Sequence, residues 1–184
     1  MNKAEQRRKT GEALLNAAAH EFECRGYEET TLQDVANRLG LTRSTVLFHF
    51  KSKDKLRQNL IEWSNERISQ FMEPCEDLNE FRNTLFRLAD TYRHEAVIRA
   101  GLLLQEELVR KGETTPAKWE TLLEQQFEIA LSKQNRNGCA EIAPKASTVM
   151  FIAVMKSNVW LDDNQADQAL SYLFTSIGII SRQE

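Results

Sequence analysis

Seven side chains between residues 31 and 53 could bind phosphate groups or the edges of nucleic-acid bases. They are Thr31, Thr42, Arg43, Ser44, Thr45, His49 and Lys53. Small hydroxyl groups can approach a groove closely and hydrogen-bond to phosphates or bases, and an arginine can reach O6 and N7 of guanine. The backbone N–H groups at a helix N-terminus also favour phosphate. This combination of residue types predicts contact with a nucleic-acid duplex.

The apolar residues around these side chains predict two short helices joined by a glycine turn. Thr30 or Thr31 caps the first helix, Gly40 ends it, and Thr42 caps the second. A helix of seven or eight residues is only about 10 to 12 Å long, so neighbouring helices must stabilise it. Two such helices form a helix-turn-helix, whose second helix lies in the DNA major groove. Its predicted inner surface is Val35, Ala36, Leu39, Leu41, Val46 and Phe50.

Longer helices flank this pair. The spacing of Leu14, Ala18 and Phe22 predicts a first helix from about residue 7 to residue 25, which Gly26 ends. Ser52 is the expected cap of a fourth helix. Further helices follow, with breaks near residues 73–80, 94, 112–116 and 135–144. The last two segments, about 145–161 and 164–182, are strongly apolar.

A structural interpretation of the same residues stays open. The threonines and serines could serve only as caps of a short helix in an ordinary bundle. His49 could donate to phosphate, support its neighbours from a half-buried position, or act as a catalytic base. No serine, cysteine or carboxylate stands beside it in a catalytic pattern, so we favour the phosphate contact.

Composition favours an all-α fold and excludes several classes of protein. Of 184 residues, 41% are hydrophobic, with only 7 glycines and 3 prolines, and no strand-like alternation is present. Cys24, Cys75 and Cys139 have no metal-binding spacing and are expected to be reduced thiols. We expect no metal, no cofactor and no enzyme activity. The longest apolar run, residues 149–155, is too short to cross a bilayer, and no signal peptide is recognisable, so a cytoplasmic location is expected.

Charge is distributed unevenly along the chain. Residues 1–57 contain 11 lysines and arginines against 8 acidic residues, a balance of +3. The remaining residues contain 13 against 19, a balance of −6, which gives the net charge of −3. A basic N-terminal third on an acidic body is expected when one end of a protein meets phosphate.

The order of these motifs resembles the TetR family of transcriptional repressors. The similarity covers residues 10–56, "TGEALLNAAAHEFECRGYEETTLQDVANRLGLTRSTVLFHFKSKDKL". It implies an all-α homodimer with a DNA-binding domain at residues 1–51 and an effector-binding and dimerisation domain at 52–184. It also implies that the seven side chains above are the DNA contacts. One position departs from the family, because Leu47 stands where a phosphate-binding tyrosine is common.

A second similarity points to the γ-butyrolactone-receptor branch of that family. It involves "HEAVIRAGLLLQEE", "FHF" and "PAKWETLL". It implies that Trp119 lines a pocket for a lactone with an alkyl chain, although Trp119 could equally be a core aromatic residue. Further pocket candidates, each also a core candidate, are Phe81, Leu85, Leu88, Leu102, Phe127 and Met155.

The last two segments predict a dimer interface. Each carries a wide apolar face, formed by Val149, Ile152, Ala153, Val159, Leu170, Leu173, Ile177 and Ile180. Leaving one such face exposed would create a large apolar patch, so burial between two copies is expected.

Together these patterns predict a dimeric repressor that a small apolar ligand releases from a palindromic operator. The alternatives are an architectural or protein-recruiting factor of the same fold without an effector, and a helical-bundle enzyme.

Overall fold

The computed structural model describes residues 2–115, 117–133 and 168. The described residues form seven helices and no strand, which confirms the all-α prediction. The helices are α1 Lys3–Glu29, α2 Leu32–Arg38, α3 Arg43–Phe50, α4 Lys53–Ser69, α5 Leu78–His94, α6 Ala96–Arg110 and α7 Lys118–Lys133. The two segments predicted at 145–161 and 164–182 lie outside the described residues, apart from residue 168.

Helix α1 is longer at both ends than the sequence pattern predicts. Asn2 caps it by accepting a hydrogen bond from the backbone N–H of Ala4 at 3.3 Å. Its first turns are polar and have no apolar period, so the hydrophobic spacing could not reveal them. Gly26 has φ 79° and ψ 165°, which kinks the helix instead of ending it, and the chain continues to Glu29.

The described residues fall into two compact units. The first contains residues 2–67 and 95–115, and the second contains residues 68–94, 117–133 and 168. Helix α4 as far as Arg67, and all of α6, therefore share a unit with α1, α2 and α3. The boundary expected after residue 51 concerns the division of function and stays a prediction.

The first unit is built around one apolar core. Leu14, Ala18, Val35, Ala36 and Val46 are at most 1% exposed within it. Helices α2 and α3 have only seven and eight residues, so this shared core, and not their own hydrogen bonds, makes them stable.

Leu39 does not belong to that core, contrary to the sequence prediction. Helix α2 ends at Arg38, and Leu39 has φ −107° and ψ 3°, outside the helical range. Because the backbone has already left the helix, the period of apolar residues no longer applies, and Leu39 is 38% exposed. Leu41 is half-buried and packs against the core.

Helices α4 and α6 approach each other closely. A Cβ atom added at Gly101 would lie 2.2 Å from the Cβ of Ser64, which is far inside van der Waals contact. The Ser64 hydroxyl donates to the carbonyl of Ile98 at 3.4 Å. Two half-buried ion pairs also fix α6, one between Arg67 and Glu95 and one between Arg99 and Glu23.

The second unit contains α5 and α7 packed together. The rings of Phe81 and Phe127 lie 4.9 Å apart between centroids. The side chain of Gln126, also buried, accepts the backbone N–H of Cys75 at 3.1 Å. Cys75 is a buried free thiol and Cys24 an exposed one, while Cys139 lies outside the described residues. Among the described helices, none is both long and apolar enough to cross a membrane.

Candidate nucleic-acid interface

Thr31 is the cap of α2, whereas Thr30 hydrogen-bonds to carbonyl groups of α1. The Thr31 hydroxyl accepts the backbone N–H of Asp34 at 3.2 Å, and the Asp34 carboxylate accepts the backbone N–H of Thr31 at 2.8 Å. The Thr31 hydroxyl also donates to the Asp34 carboxylate at 2.6 Å, and this hydrogen bond, followed by the one from the Thr31 backbone N–H, lowers the pKa of Asp34. Thr30 is buried, and its hydroxyl donates to the carbonyls of Gly26 and Glu21 at 2.8 and 3.1 Å. It therefore fixes the kink of α1, whereas Thr31 remains at the surface.

A glycine turn and a second cap place α3. Gly40 has φ 64°, a conformation that suits glycine, and the N–H of Leu41 donates back to the carbonyl of Ala36 at 2.9 Å. The Thr42 hydroxyl then accepts the N–H of Thr45 at 3.3 Å, and the two hydroxyl groups are 3.0 Å apart. The Thr42 hydroxyl thus holds the start of the helix. Because one of the two hydroxyls donates to the other, one O–H group of the pair is left for an outside acceptor.

The two faces of α3 have opposite surroundings. Val46 and Phe50 are buried in the core, and Leu47 packs against it from a half-buried position. Arg43 and Ser44 are exposed at the first turn. Neither makes a side-chain hydrogen bond or ion pair within the described part of the chain. An exposed arginine beside a serine at the start of this helix can reach a base edge and a phosphate.

His49 lies beside the first turns of α1. It is half-buried in a groove of about 600 Å³ that Lys3, Arg7, Gly11 and Phe50 also line. Burial, and secondarily the positive charge of Arg7, lower the pKa of His49 below its ordinary value. The imidazole is therefore neutral near pH 7 and keeps one N–H that can donate to a phosphate oxygen.

Lys53 makes contacts inside the protein. Its Nζ donates to the carbonyl of Glu28 at 2.9 Å and lies 4.3 Å from the centre of the Tyr27 ring. The guanidinium of Arg57 lies 4.3 Å from the same ring centre. The Tyr27 hydroxyl donates to Asp54 at 2.8 Å, and burial followed by this hydrogen bond strongly raises the pKa of Tyr27. This cluster joins the end of α1 to the start of α4.

Neither the Tyr27 cluster nor a second cluster around Glu21 was predicted from the sequence. Glu21 is only 7% exposed and pairs with Arg38 at 3.0 Å and with Arg25 at 3.3 Å. Arg25 also reaches Asp34 at 3.4 Å. The Glu21–Arg38 and Arg25–Asp34 pairs fix α2 against α1. The available signal was the position of Glu21 next to Phe22, inside an otherwise apolar stretch.

The architecture around α2 and α3 has known counterparts. A family model of bacterial regulatory proteins of the tetR family matches residues 14–60. This domain belongs to the tetR family. The match includes all of α2 and α3, and it confirms the resemblance drawn from the sequence.

Similar proteins extend the likeness beyond the matched domain. The A-factor receptor protein of Streptomyces griseus is 25% identical over 145 residues, or 78% of this chain. The HTH-type transcriptional regulator TtgR of Pseudomonas putida is 32% identical over 76 residues, or 41% of this chain. The aligned segments span 51% and 36% of the length of those two relatives.

Solved structures agree on the fold. One, described as the molecular basis for control of antibiotic production by bacterial hormones, is 26% identical, with a TM-score of 0.65 over 92% of this chain and 93% of that chain. A gamma-butyrolactone receptor (ArpA-like protein) is 21% identical, with a TM-score of 0.69 over 96% of this chain and 88% of that chain. The γ-butyrolactone-receptor branch of the tetR family is thus the one that this chain resembles.

The tetR-family relatives are regulators and receptors, and regulators of this family are not enzymes. Within residues 2–115 and 117–133, no group of three or more His, Cys, Asp or Glu side chains could hold a metal ion.

The residues predicted to line a ligand pocket are divided between the two units. Five of them lie in the second unit on α5 and α7, and each is at most 4% exposed: Phe81, Leu85, Leu88, Trp119 and Phe127. Leu102 lies on α6 in the first unit and is half-buried. Met155 lies outside the described residues. The structure thus places five of the seven candidates, all buried, on the two packed helices α5 and α7, where core and pocket wall are both possible roles.

Proposed function

We propose that this chain is a ligand-responsive transcriptional repressor that binds a palindromic operator as a homodimer. The observation that carries the proposal is the exposed first turn of α3, where Arg43 and Ser44 have no partner within the described residues. The opposite face of the same helix is fixed in the core through Val46 and Phe50. A rigid helix with a free polar edge is the arrangement that reads bases in the major groove.

Each candidate DNA contact then has a role. Arg43 reads a base edge. Ser44 and His49 donate to phosphates beside it, as does one hydroxyl of the Thr42 and Thr45 pair. Thr31 does so only if its hydroxyl gives up the Asp34 carboxylate. The caps of α2 and α3 add backbone N–H groups. Leu47 provides no hydroxyl, so the phosphate contact that a tyrosine makes at this position is missing here. Lys53 contacts phosphate only if it gives up the Glu28 carbonyl.

Two recognition helices are needed because one reads only a few base pairs. A homodimer places a pair of them about 34 Å apart, one turn of the duplex, which requires a palindromic site. The apolar faces of the last two segments, such as those around Ile152 and Leu173, support pairing between copies. Because the proposed partner is duplex DNA, the proposed location of the protein is the cytoplasm.

The proposed effector is a small, mostly apolar molecule, such as a γ-butyrolactone with an alkyl chain. The support comes from relatives that are themselves an A-factor receptor and a gamma-butyrolactone receptor. The buried apolar side chains of α5 and α7, Trp119 and Phe127 among them, supply candidates for an apolar wall. Release from DNA requires that the ligand bind more tightly to a state in which the two recognition helices no longer fit consecutive major grooves.

Selection from random duplexes tests the DNA-binding part of the proposal. The purified protein, Arg43→Ala and a control, Arg110→Ala, would each be taken through several rounds and sequenced. Arg110 is an exposed arginine of the same unit, but it lies on α6. We expect a palindrome enriched by the wild type and the control and absent for Arg43→Ala. A folded, dimeric wild type that enriches nothing would favour the recruiting scaffold without specific readout.

The effector part has its own test. The selected operator, bound to the wild-type protein, would be titrated with γ-butyrolactones of increasing alkyl length. Release from the operator that improves with alkyl-chain length supports an apolar pocket. Trp119→Ala should then require a higher lactone concentration for the same release. Operator binding that no lactone of the series affects would remove this ligand class from the proposal.

A further inference from the structure

The first two turns of α1 contain basic side chains with two kinds of surroundings. Arg8 pairs with Glu12 at 2.5 Å, and Lys9 pairs with Glu5 at 3.3 Å. Lys3 and Arg7 pair with no carboxylate among the described residues. Local ion pairs therefore neutralise two of the four cations and leave the other two with their charge unmatched.

The two unmatched cations share a face of α1. Lys3, Arg7 and Gly11 follow each other at intervals of four residues, so they lie on one side of the helix. That side lines the groove that contains His49 of α3. A Cβ atom at Gly11 would lie 3.6 Å from His49 Nδ1, so the absence of a side chain there keeps the groove open.

Arg7 is also held against α3. Its guanidinium carbon lies 5.1 Å from the centre of the Phe48 ring, and Phe48 is 66% exposed. A cation over an aromatic face gains electrostatic attraction while its N–H groups stay available at the ring's edge. The exposed ring thus orients a positive charge beside the helix that carries Arg43.

We propose that Lys3 and Arg7 extend the DNA-binding surface beyond α3 by binding phosphates of the same duplex. This inference rests on the proposed function of α3. Lys3 and Arg7 border the groove of His49, itself a candidate phosphate donor. Glu12, the acidic residue that also lines this groove, pairs with Arg8 and with neither of them. Duplex phosphates supply the missing negative charge. The first turns of α1 therefore add affinity without reading sequence.

Lys9 provides a matched control because it carries the same charge on the same helix but pairs with Glu5 and does not line the groove. Affinity would be measured for Lys3→Gln, Arg7→Gln and Lys9→Gln, on the selected operator and on a scrambled duplex, over a range of salt concentrations. Lys3→Gln and Arg7→Gln should weaken both duplexes alike. Each should make the slope of log affinity against log salt shallower by about 1. Lys9→Gln should change neither.

If Lys3→Gln and Arg7→Gln match Lys9→Gln while the wild type binds its operator, the inference is wrong and the proposed function stands. If the wild type prefers no duplex, the proposed function fails instead. A measurement without DNA tests the geometry separately. Arg7→Gln should raise the pKa of His49, followed by NMR titration, and Lys9→Gln should not. An unchanged His49 titration in Arg7→Gln would place Arg7 away from the groove and overturn the inference.

Discussion

Helices α3 and α4 begin alike in sequence but differ in their surroundings. Each has a hydroxyl residue followed by a basic one, Thr42 with Arg43 and Ser52 with Lys53. Arg43 extends into solvent, whereas Lys53 is bound to the Glu28 carbonyl and the Tyr27 ring. The same local pattern thus produces an available cation in one place and an internal support in the other.

The neighbour of each helix start explains this difference. The kink at Gly26 directs the last residues of α1 toward the beginning of α4, where the Glu28 carbonyl receives Lys53. No described element offers a carbonyl or carboxylate to Arg43. Helix capping decides where a helix begins, but it does not decide what its first side chains meet.

The largest effect, on the free energy of unfolding, is expected from a substitution where α4 packs against α6. Gly101→Ala should lower the free energy of unfolding by about 1–3 kcal/mol, because the new methyl group overlaps Ser64. Urea denaturation would measure the change. Combining Gly101→Ala with Ser64→Gly should cost less than the sum of the two single changes. Strictly additive losses would show that the two helices do not approach so closely.

Arg43 should matter for binding and not for folding. Arg43→Gln is expected to weaken operator binding by about 1–3 kcal/mol, because glutamine cannot make the bidentate contact with guanine. The midpoint of thermal unfolding should not change, since Arg43 has no partner within the described residues. Fluorescence anisotropy with operator and scrambled duplexes, beside a thermal scan, tests both halves. Equal losses on the two duplexes would make Arg43 a phosphate contact.

Lys53 should behave in the opposite way. Lys53→Met keeps most of the apolar stem but removes the hydrogen bond to Glu28 and the charge over Tyr27. We expect a loss of about 1 kcal/mol in unfolding free energy and little change in the salt dependence of DNA binding. Unchanged stability together with a shallower salt slope would instead support the phosphate contact expected from the sequence.

Replacing Lys51, which lies between α3 and α4, should have a smaller effect, a gain in the free energy of unfolding. It has φ 60°, a left-handed conformation that costs a residue with a Cβ atom about 1–2 kcal/mol. Lys51→Gly should raise the unfolding free energy by less than about 1 kcal/mol, because glycine also loses more entropy on folding. Lys55→Gly, within α4, is the control and should be destabilising. A destabilised Lys51→Gly would show that the lysine side chain contributes more than its strain costs.

The smallest effect concerns pH. The folded state lowers the pKa of His49, chiefly through burial, so the unfolded chain binds a proton more readily. Stability from this source is present above the ordinary pKa of about 6.5 and is lost as pH falls through the lowered pKa. His49→Gln should flatten the dependence of unfolding free energy on pH in this range. An equally steep dependence in His49→Gln would assign it to other groups.

Much of the helix-turn-helix could be predicted from the sequence. The caps at Thr31 and Thr42 and the turn at Gly40 depend on backbone geometry within four or five residues, which local residue types determine. Leu39 was misplaced because the apolar period was followed one residue past the end of α2. The extra turns of α1 were missed because Arg8, Lys9 and their acidic partners stabilise a helix without any apolar signal.

Local residue patterns account for the all-α fold, the capped helices, the apolar face of α3 and its exposed polar edge. These follow from hydrogen bonds and periodicities that act over a few residues. The inward contacts of Lys53, the pairing of Glu21 with Arg38 and the position of Arg7 beside His49 depend on tertiary packing. In each case the partner is distant in the chain or on another helix, and the charge of a side chain does not reveal which neighbour folding will bring to it.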